Sequence, residues 1–490
     1  MRIITKAVLS VILLTNFTVS NASPVFKKHE LTVEGLVQKA QKGEAHASFL
    51  LGEIFRKGLQ GHRPDKKKSI SFYKIASKLG HSKASYNLGL MFDSSKGVRR
   101  NNSLAYAFYK RSSDQGNAIA PINMAVMHMK EQGVKRSWSK IINLYALSAS
   151  RGNGKAMNML GYFYAEGEHV PLNHKLAYDY YLKAVGLGYG EAYINVGTYY
   201  EEGHIVEKNF YVALTYYKKA LDLGVSEAHV YIGQMHYHAK GVEQDYIQAL
   251  KHYKSAVDKG SAKGLSLLAG MYSRGEGVTV NPDKAFILYL KAAKRGDAEA
   301  QLFVGDFYRY PGDGFDPEPK KAIKYYLMAA KQGNVTAQLK LGLMYASKRK
   351  KKPAYKWVKL AALQGDTTAI LTLAEFYKNG SGVKKNYSLA IKYYLRAAKL
   401  GKLEGQVEAA SLLITKKLGE KYEERAIKLL KDAASQNETS AMLKIGSLYE
   451  TGIIFQKDVK EAASWYKKAL ELGSYKAKRR LKFIEDYGAI

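Results

Sequence analysis

Residues 192–224 read AYINVGTYYEEGHIVEKNFYVALTYYKKALDLG, and the two halves of this stretch decide the fold. Small and large apolar residues recur at helical spacing in both halves, with a glycine-bearing turn near Gly203 between them, so the unit reads as a helical hairpin. In the first helix Ala192 and Gly197 are small where another helix must come close, while Val196 and Tyr200 offer large surfaces to the same neighbour. Asn209 opens the second helix as an acceptor for amides that the first turn leaves unpaired. Gly224 closes it, because a left-handed residue after a helix favours glycine.

The same unit returns in both directions on a beat of about 36 residues. A small residue usually follows a large apolar one at Gly52, Gly89, Ala125, Gly161, Gly197, Gly233, Ala269, Gly305, Gly342, Ala374, Ala410 and Gly446. Alanine at four of these places means that the slot asks for a short side chain and not for glycine's backbone freedom. Asn173, Asp245, Asn281, Asn386 and Asp458 stand where Asn209 does, and Pro282 sits where a missing amide hydrogen costs nothing. Closing glycines recur from Gly80 to Gly473, with Asn437 substituting once. Each copy lacks the partners to bury its own apolar face, so the expectation is an all-α solenoid of about twelve hairpins in one continuous domain, residues 44–473. A capping segment, 23–43, precedes it and a C-terminal capping helix, 474–490, follows. There Lys482 takes the small slot, and Lys478, Arg479 and Arg480 make the helix polar.

The motifs are clearest in LAGMYSRGEGVTVNPDKAFILYLKAAKRG, residues 268–296, and LAEFYKNGSGVKKNYSLAIKYYLRAAKLG, residues 373–401. This pattern resembles the Sel-one-like repeat (SLR) family, relatives of tetratricopeptide repeats. The resemblance implies a right-handed α/α superhelix and an adaptor or scaffold role, including in bacterial exported proteins of envelope complexes or host contact. The family's cysteine-rich exported members staple each hairpin with a disulfide, whereas this chain has no cysteine, which puts their β-lactam binding in doubt here.

The N-terminal segment carries Arg2 and Lys6, an apolar run from Ala7 to Leu14, and Ser20 and Ala22 at small positions before a cut, so residues 1–22 read as a secretory signal peptide. The run is far shorter than the ~20 residues a spanning helix needs, and no transmembrane span is expected in the mature chain. Without cysteine, an exported chain relies on packing alone. Asn101, Asn334, Asn386 and Asn437 begin sequons that matter only in a eukaryotic secretory route, in a lumen or outside the cell; a bacterial periplasmic or extracellular protein is the preferred reading.

Several features imitate chemistry. Gly275-Glu-Gly277, Gly312-Asp-Gly314 and Gly380-Ser-Gly382 look like phosphate loops, but none follows a predicted strand, so they read as repeat turns. His229, His236, His238 and His252 would suit a metal if the fold converged them. His236, however, takes the slot of Tyr164, Tyr200, Tyr272, Tyr308, Tyr345, Tyr377 and Tyr449, and His128 does so elsewhere, so packing is expected. Tyr180-Tyr181, Tyr216-Tyr217, Tyr325-Tyr326 and Tyr393-Tyr394 recur in phase with the second helix and read mostly as core. No HExxH, nucleophile elbow, Walker loop or paired-cysteine motif occurs, so no catalytic residue, cofactor or metal is assigned.

The net charge of +34 is patterned. Arg111, Lys183, Lys219, Lys291, Lys359, Arg396 and Lys468 recur two residues after the second aromatic position. If second helices form the convex side, as the resemblance implies, these residues make a basic ladder that is either a solvated face or an anion contact. By the same analogy first helices line the concave side, where Glu53, Thr198, Glu201, Gln234, Asp306 and Glu375 would meet a protein partner. That mixed face argues against a nucleic-acid groove. The repeat between Gly342 and Ala374 is shortened, and Ser347 to Pro353 replace its turn. The cations Lys348, Arg349, Lys350, Lys351 and Lys352 there would seat anions or simply be solvated. The leading expectation is an exported, non-enzymatic protein-interaction scaffold; the alternative is binding to an anionic polymer or membrane surface through the basic face.

Overall fold

The computed structural model describes residues 32–94, 99–311, 316–415 and 420–486. The signal peptide read at 1–22 and the Gly312-Asp-Gly314 turn lie outside the described residues. All regular secondary structure within them is helical. A helix Val33–Gln41 comes first, and six hairpins follow: Ala45–Lys57 with Lys66–Lys78, Ser82–Asp93 with Asn102–Asp114, Ala120–Lys130 with Trp138–Ser150, Gly154–Glu166 with His174–Gly186, Gly190–Glu202 with Phe210–Asp222, and Ala228–Tyr237 with Tyr246–Asp258. Six more continue the series, pairing Ala262–Arg274 with Pro282–Lys294, Ala298–Arg309 with Pro319–Lys331, Val335–Ser347 with Lys351–Leu363, Thr367–Asn379 with Tyr387–Lys399, Glu404–Thr415 with Glu420–Ser435, and Thr439–Thr451 with Val459–Glu471. Tyr475–Asp486 ends the described chain.

The described residues form two compact units, 32–264 with 275–279, and 265–274 with 280–486. Within each unit a first helix packs on its own second helix, which packs in turn on the next first helix. The architecture is an α-solenoid of stacked hairpins.

The 36-residue beat has a physical cause in the core. Tyr73, Tyr109, Tyr145, Tyr181, Tyr217 and Tyr253 in the first unit, and Tyr326, Tyr394 and Tyr466 in the second, are buried at equivalent places of the second helix. Seven of the nine face the small glycine of their own first helix. A methyl group on Gly161 or Gly305 would come within 2.6 Å of the Tyr181 or Tyr326 ring, and Gly52, Gly89, Gly197, Gly233 and Gly446 are covered by their tyrosines in the same way. The slot is small because a ring fills the space a side chain would need. At Gly342 the covering residue is Val358, in the shortened repeat.

A second aromatic layer lies beside the first. Tyr164 stacks on Tyr180, Tyr200 on Tyr216, Tyr308 on Tyr325 and Tyr377 on Tyr393, with centroids 5.6–6.0 Å apart and planes within 18°. Phe55 with Phe72 and Phe92 with Phe108 occupy the same places. The paired tyrosines of the sequence therefore divide their work: the second fills the core, and the first stacks within its hairpin.

The ends of the helices follow the local chemistry. Asn173, Asn209, Asn281, Asn386 and Asp458 each accept from the amide three residues on, at 2.8–3.0 Å. Asp245 accepts from Ile247 and Gln248. Closing residues adopt left-handed conformations, as at Gly224 (φ 82°) and Asn437 (φ 63°). The Gly-x-Gly turns seat one hairpin on the last: Gly380 closes its helix, and Gly382 lies against the Lys351 carbonyl of the preceding hairpin.

The shortened repeat differs from its expected form. Its turn is only Lys348 to Lys350, with Arg349 left-handed at φ 56°, and the second helix already begins at Lys351. Pro353 falls in the first turn of that helix, where no intrahelical partner for an amide is lost.

Candidate interaction faces

The first-helix residues expected to meet a partner are mostly engaged within the chain. Glu53 is buried and accepts from the Tyr73 hydroxyl, from Arg56 at 2.7 Å and from Asn87 at 3.0 Å, with Lys57 also at 3.0 Å. Glu201 accepts from the Tyr217 hydroxyl and from Lys240, both at 2.7 Å. Asp306 accepts from Tyr326 and Lys340 at 2.6 Å. Glu375 accepts from the Tyr394 hydroxyl, Lys378 and Asn379. Thr198 donates to the Ile194 carbonyl at 3.1 Å, and Gln234 is half-buried next to the buried Gly233.

These contacts form one recurrent device: the core tyrosine donates its hydroxyl to a first-helix carboxylate, which also holds a cation. Glu450, between Tyr466 at 2.7 Å and Arg480, belongs to the same set although the sequence reading did not single it out. Its signal is register. The carboxylate stands one residue after the small slot at Glu53, Asp306 and Glu375, and four after it at Glu201 and Glu450, so both placements reach one hydroxyl about a helical turn apart. Burial pushes the Glu53 carboxyl up, but hydrogen bonds from Arg56 and Tyr73 and the charge of Arg56 outweigh it and hold the group at about 2. Glu375 and Glu450 are likewise lowered: burial opposes, and bonds from Lys378 or Arg480 prevail. The partner hydroxyls of Tyr73, Tyr326 and Tyr394 are raised, first by burial and then by their carboxylates.

Polar bonds also run from hairpin to hairpin. Asn87 reaches Glu53, Asn195 reaches Asn158 at 2.7 Å, Lys240 reaches Glu201 and Lys340 reaches Asp306. At the other end, the residue before the closing glycine does the same: Gln115 donates to the Ser77 carbonyl, Arg151 to the Asn117 carbonyl and Gln332 to the Gly296 carbonyl, whereas Gln364 donates to Gln338 within its own hairpin. These long-range bonds fix the spacing of successive first helices, and periodicity alone does not show them.

The second helices present the opposite picture. Arg111, Lys183, Lys219, Lys291, Arg396 and Lys468 are exposed and Lys359 is half-buried. No ion pair engages any of them among the described residues. Three of them hold the ammonium over an aromatic ring instead, Lys183 over Tyr180, Lys359 over Tyr355 and Lys468 over Trp465. Lys348, Arg349, Lys350, Lys351 and Lys352 are all exposed.

The histidines resolve into packing. His236 stacks on His252, centroids 6.0 Å apart and planes at 15°, in the place where other hairpins stack two tyrosines. His252 Nδ1 lies 2.9 Å from His229 Nδ1, and burial together with its neighbours His229 and His236 pushes His252 down to about 4. His238 packs edge-on against Tyr237 instead. His128 is buried; its Nδ1 donates to the Lys135 carbonyl at 2.7 Å, which leaves Nε2 to accept from Tyr106. Among the described residues no group of three or more His, Cys, Asp or Glu side chains is arranged to hold a metal ion.

The model of the Sel1 repeat matches ten stretches, residues 45–81, 82–117, 154–189, 190–225, 226–261, 262–297, 298–334, 335–366, 369–402 and 439–474. No curated protein matches the chain. Among solved structures, a protective antigen of uropathogenic Escherichia coli strains displaying an SLR fold is 24% identical, with 93% of this chain and 94% of that one covered at a TM-score of 0.48. A Sel1 repeat protein from Oxalobacter formigenes is 26% identical over 50% of this chain and 96% of its own, at a TM-score of 0.45. The hairpins Ala120–Lys130 with Trp138–Ser150 and Glu404–Thr415 with Glu420–Ser435 fall between the matched stretches, yet they keep the same helix–turn–helix order. With ten repeats covering well over half of its residues, the chain belongs to the Sel1 repeat family.

Proposed function

We propose that the protein is an exported interaction scaffold, in the envelope or outside a bacterial cell, that docks a protein segment along its first helices. The Sel1 fold generally serves protein–protein interaction, and no helix among the described residues is long and apolar enough to cross a membrane. The observation that carries the reading is the hairpin-to-hairpin polar network. Its bonds through Asn87, Asn195, Lys240 and Lys340 hold first-helix side chains at a fixed repeat. A partner meeting such an array loses little to reorganisation, and each repeat adds a contact that is intramolecular once the first has formed. The candidates left to contact it are Thr198 and Gln234, with the outer edges of Glu201, Asp306 and Glu375, rather than the buried Glu53.

The test is capture from envelope extracts with the mature chain and a T198A/Q234A variant, washed at low and high salt. A stoichiometric protein retained at high salt by the parent chain and weakened at least tenfold in the variant is expected; equal retention by both refutes the face. Export is tested separately by N-terminal sequencing of the secreted product. A mature start near Ser23 is expected, and an unprocessed cytosolic chain refutes it.

A further inference from the structure

Half of the chain's excess positive charge lies in one run. Residues 319–402 contain nineteen lysines and arginines and two carboxylates, Asp366 and Glu375. Neither carboxylate is free: Asp366 caps its helix by accepting from Ala369, and Glu375 is held by Tyr394, Lys378 and Asn379. Only Lys321, Lys340 and Lys378 of the nineteen form ion pairs among the described residues. The other sixteen are exposed, apart from the half-buried Lys359. Lys351 and Lys352 stand where they weaken the fold, in the first turn of Lys351–Leu363 behind the N-cap Lys350, with no acidic residue to offset the positive end of the helix, whereas the end of Pro319–Lys331 is offset by Glu318, the partner of Lys321.

We propose that the second-helix side of residues 319–402 docks onto the anionic headgroups of a phospholipid surface. The proposal goes beyond the scaffold reading and uses a different face. Three features choose this occupant. Seventeen of the nineteen cations are lysine, a point charge suited to a diffuse field of anions, whereas arginine is the residue of bidentate phosphate recognition. The same kind of cluster returns on three successive hairpins, at Lys320 to Lys324, Lys350 to Lys359 and Lys384 to Lys399, which suits a repeated array of identical headgroups. Leucines are exposed among them, Leu363 at 56% and Leu400 at 51%, with Leu360 beside Lys359, and these offer apolar contact to the acyl boundary. A nucleic-acid strand would want free aromatic faces. Here Tyr326 and Tyr394 are buried, and Tyr325 and Tyr393 are stacked on Tyr308 and Tyr377.

The test is co-flotation of the full chain with phosphatidylglycerol and with phosphatidylcholine vesicles. Binding to the anionic vesicles alone is expected. Each lysine near such a surface contributes about fivefold, so K350Q/K351Q/K352Q should weaken partition roughly a hundredfold. The control K66Q/K67Q/K68Q removes equal charge from the first turn of Lys66–Lys78 and should change it less than threefold. L360S/L363S/L400S should abolish the part of the binding that survives high salt, and far-ultraviolet circular dichroism checks that each variant is folded. Equal losses in the two lysine variants, no binding to anionic vesicles, or displacement by a single-stranded oligonucleotide at equal phosphate would overturn the proposal.

Discussion

The hairpin Ala228–Tyr237 with Tyr246–Asp258 should be sensitive to acid in a way its neighbours are not. It stacks His236 on His252 where four other hairpins stack two tyrosines. The groups facing His252 mostly oppose its charge: burial first, then His229, His236, Lys251 and Lys218, with Asp245 nearer to His236. His252 titrates near 4 when folded and at 6.5 without its surroundings. Between these values the unfolded chain binds a proton that the folded hairpin does not, so stability is full above about pH 6.5 and declines as pH falls toward 4. The whole separation corresponds to about 3 kcal/mol, and solvent around the half-buried ring reduces it to roughly 1–2 kcal/mol. Hydrogen exchange at pH 7.5 and 5.0, corrected for intrinsic rates, reads this locally: protection across Tyr246–Asp258 should fall about tenfold. The double variant H236Y/H252Y restores the tyrosine stack and should lose that dependence while remaining folded. An equal fall in parent and variant would refute the argument.

Three further outcomes follow from the repeat's packing. G197V should destabilise by about 1–3 kcal/mol in chemical denaturation, since its Cβ alone would stand 2.6 Å from the Tyr217 ring, and G197A should cost less because other repeats carry alanine in that slot. Y217F removes only the hydroxyl bonded to Glu201 and should cost about 1 kcal/mol, whereas Y217A opens the core and should cost about 3–5 kcal/mol; equal effects would contradict a core role for the ring. N209A deletes the acceptor for the Val212 amide and should cost about 1 kcal/mol in the same assay.

Much of this architecture is legible from single residues, because its rules are local. A capping asparagine such as Asn209 acts on an amide three residues away, and Gly224 or Asn437 answers to its own backbone angle. The small slot is visible as a pattern, but its cause is not: Gly197 is small because Tyr217, twenty positions later, covers it. The candidate site is less legible for the same reason. Glu53 looks like a groove residue in one repeat, yet Arg56, Tyr73 and Asn87 consume it. The Ser347 to Pro353 segment reads as a loop by composition, whereas proline tolerance in a first turn lets the helix begin at Lys351.

These contacts assign opposite roles to the two charge types. The carboxylates of Glu53, Glu201, Asp306, Glu375 and Glu450 are each engaged by a core tyrosine hydroxyl and a cation, so removing one leaves that hydroxyl without its acceptor and is felt as stability. Second-helix lysines such as Lys183, Lys219 and Lys399 are exposed, and their removal should leave the fold nearly untouched. Salt separates the faces in turn: screening weakens contacts made by exposed cations steeply, but reaches the half-buried pair of Glu201 and Lys240 far less. A protein held on the first helices and an anionic surface held on the second are therefore distinguishable on one molecule. A partner lost in parallel with vesicle binding as salt rises would show that both use the basic face.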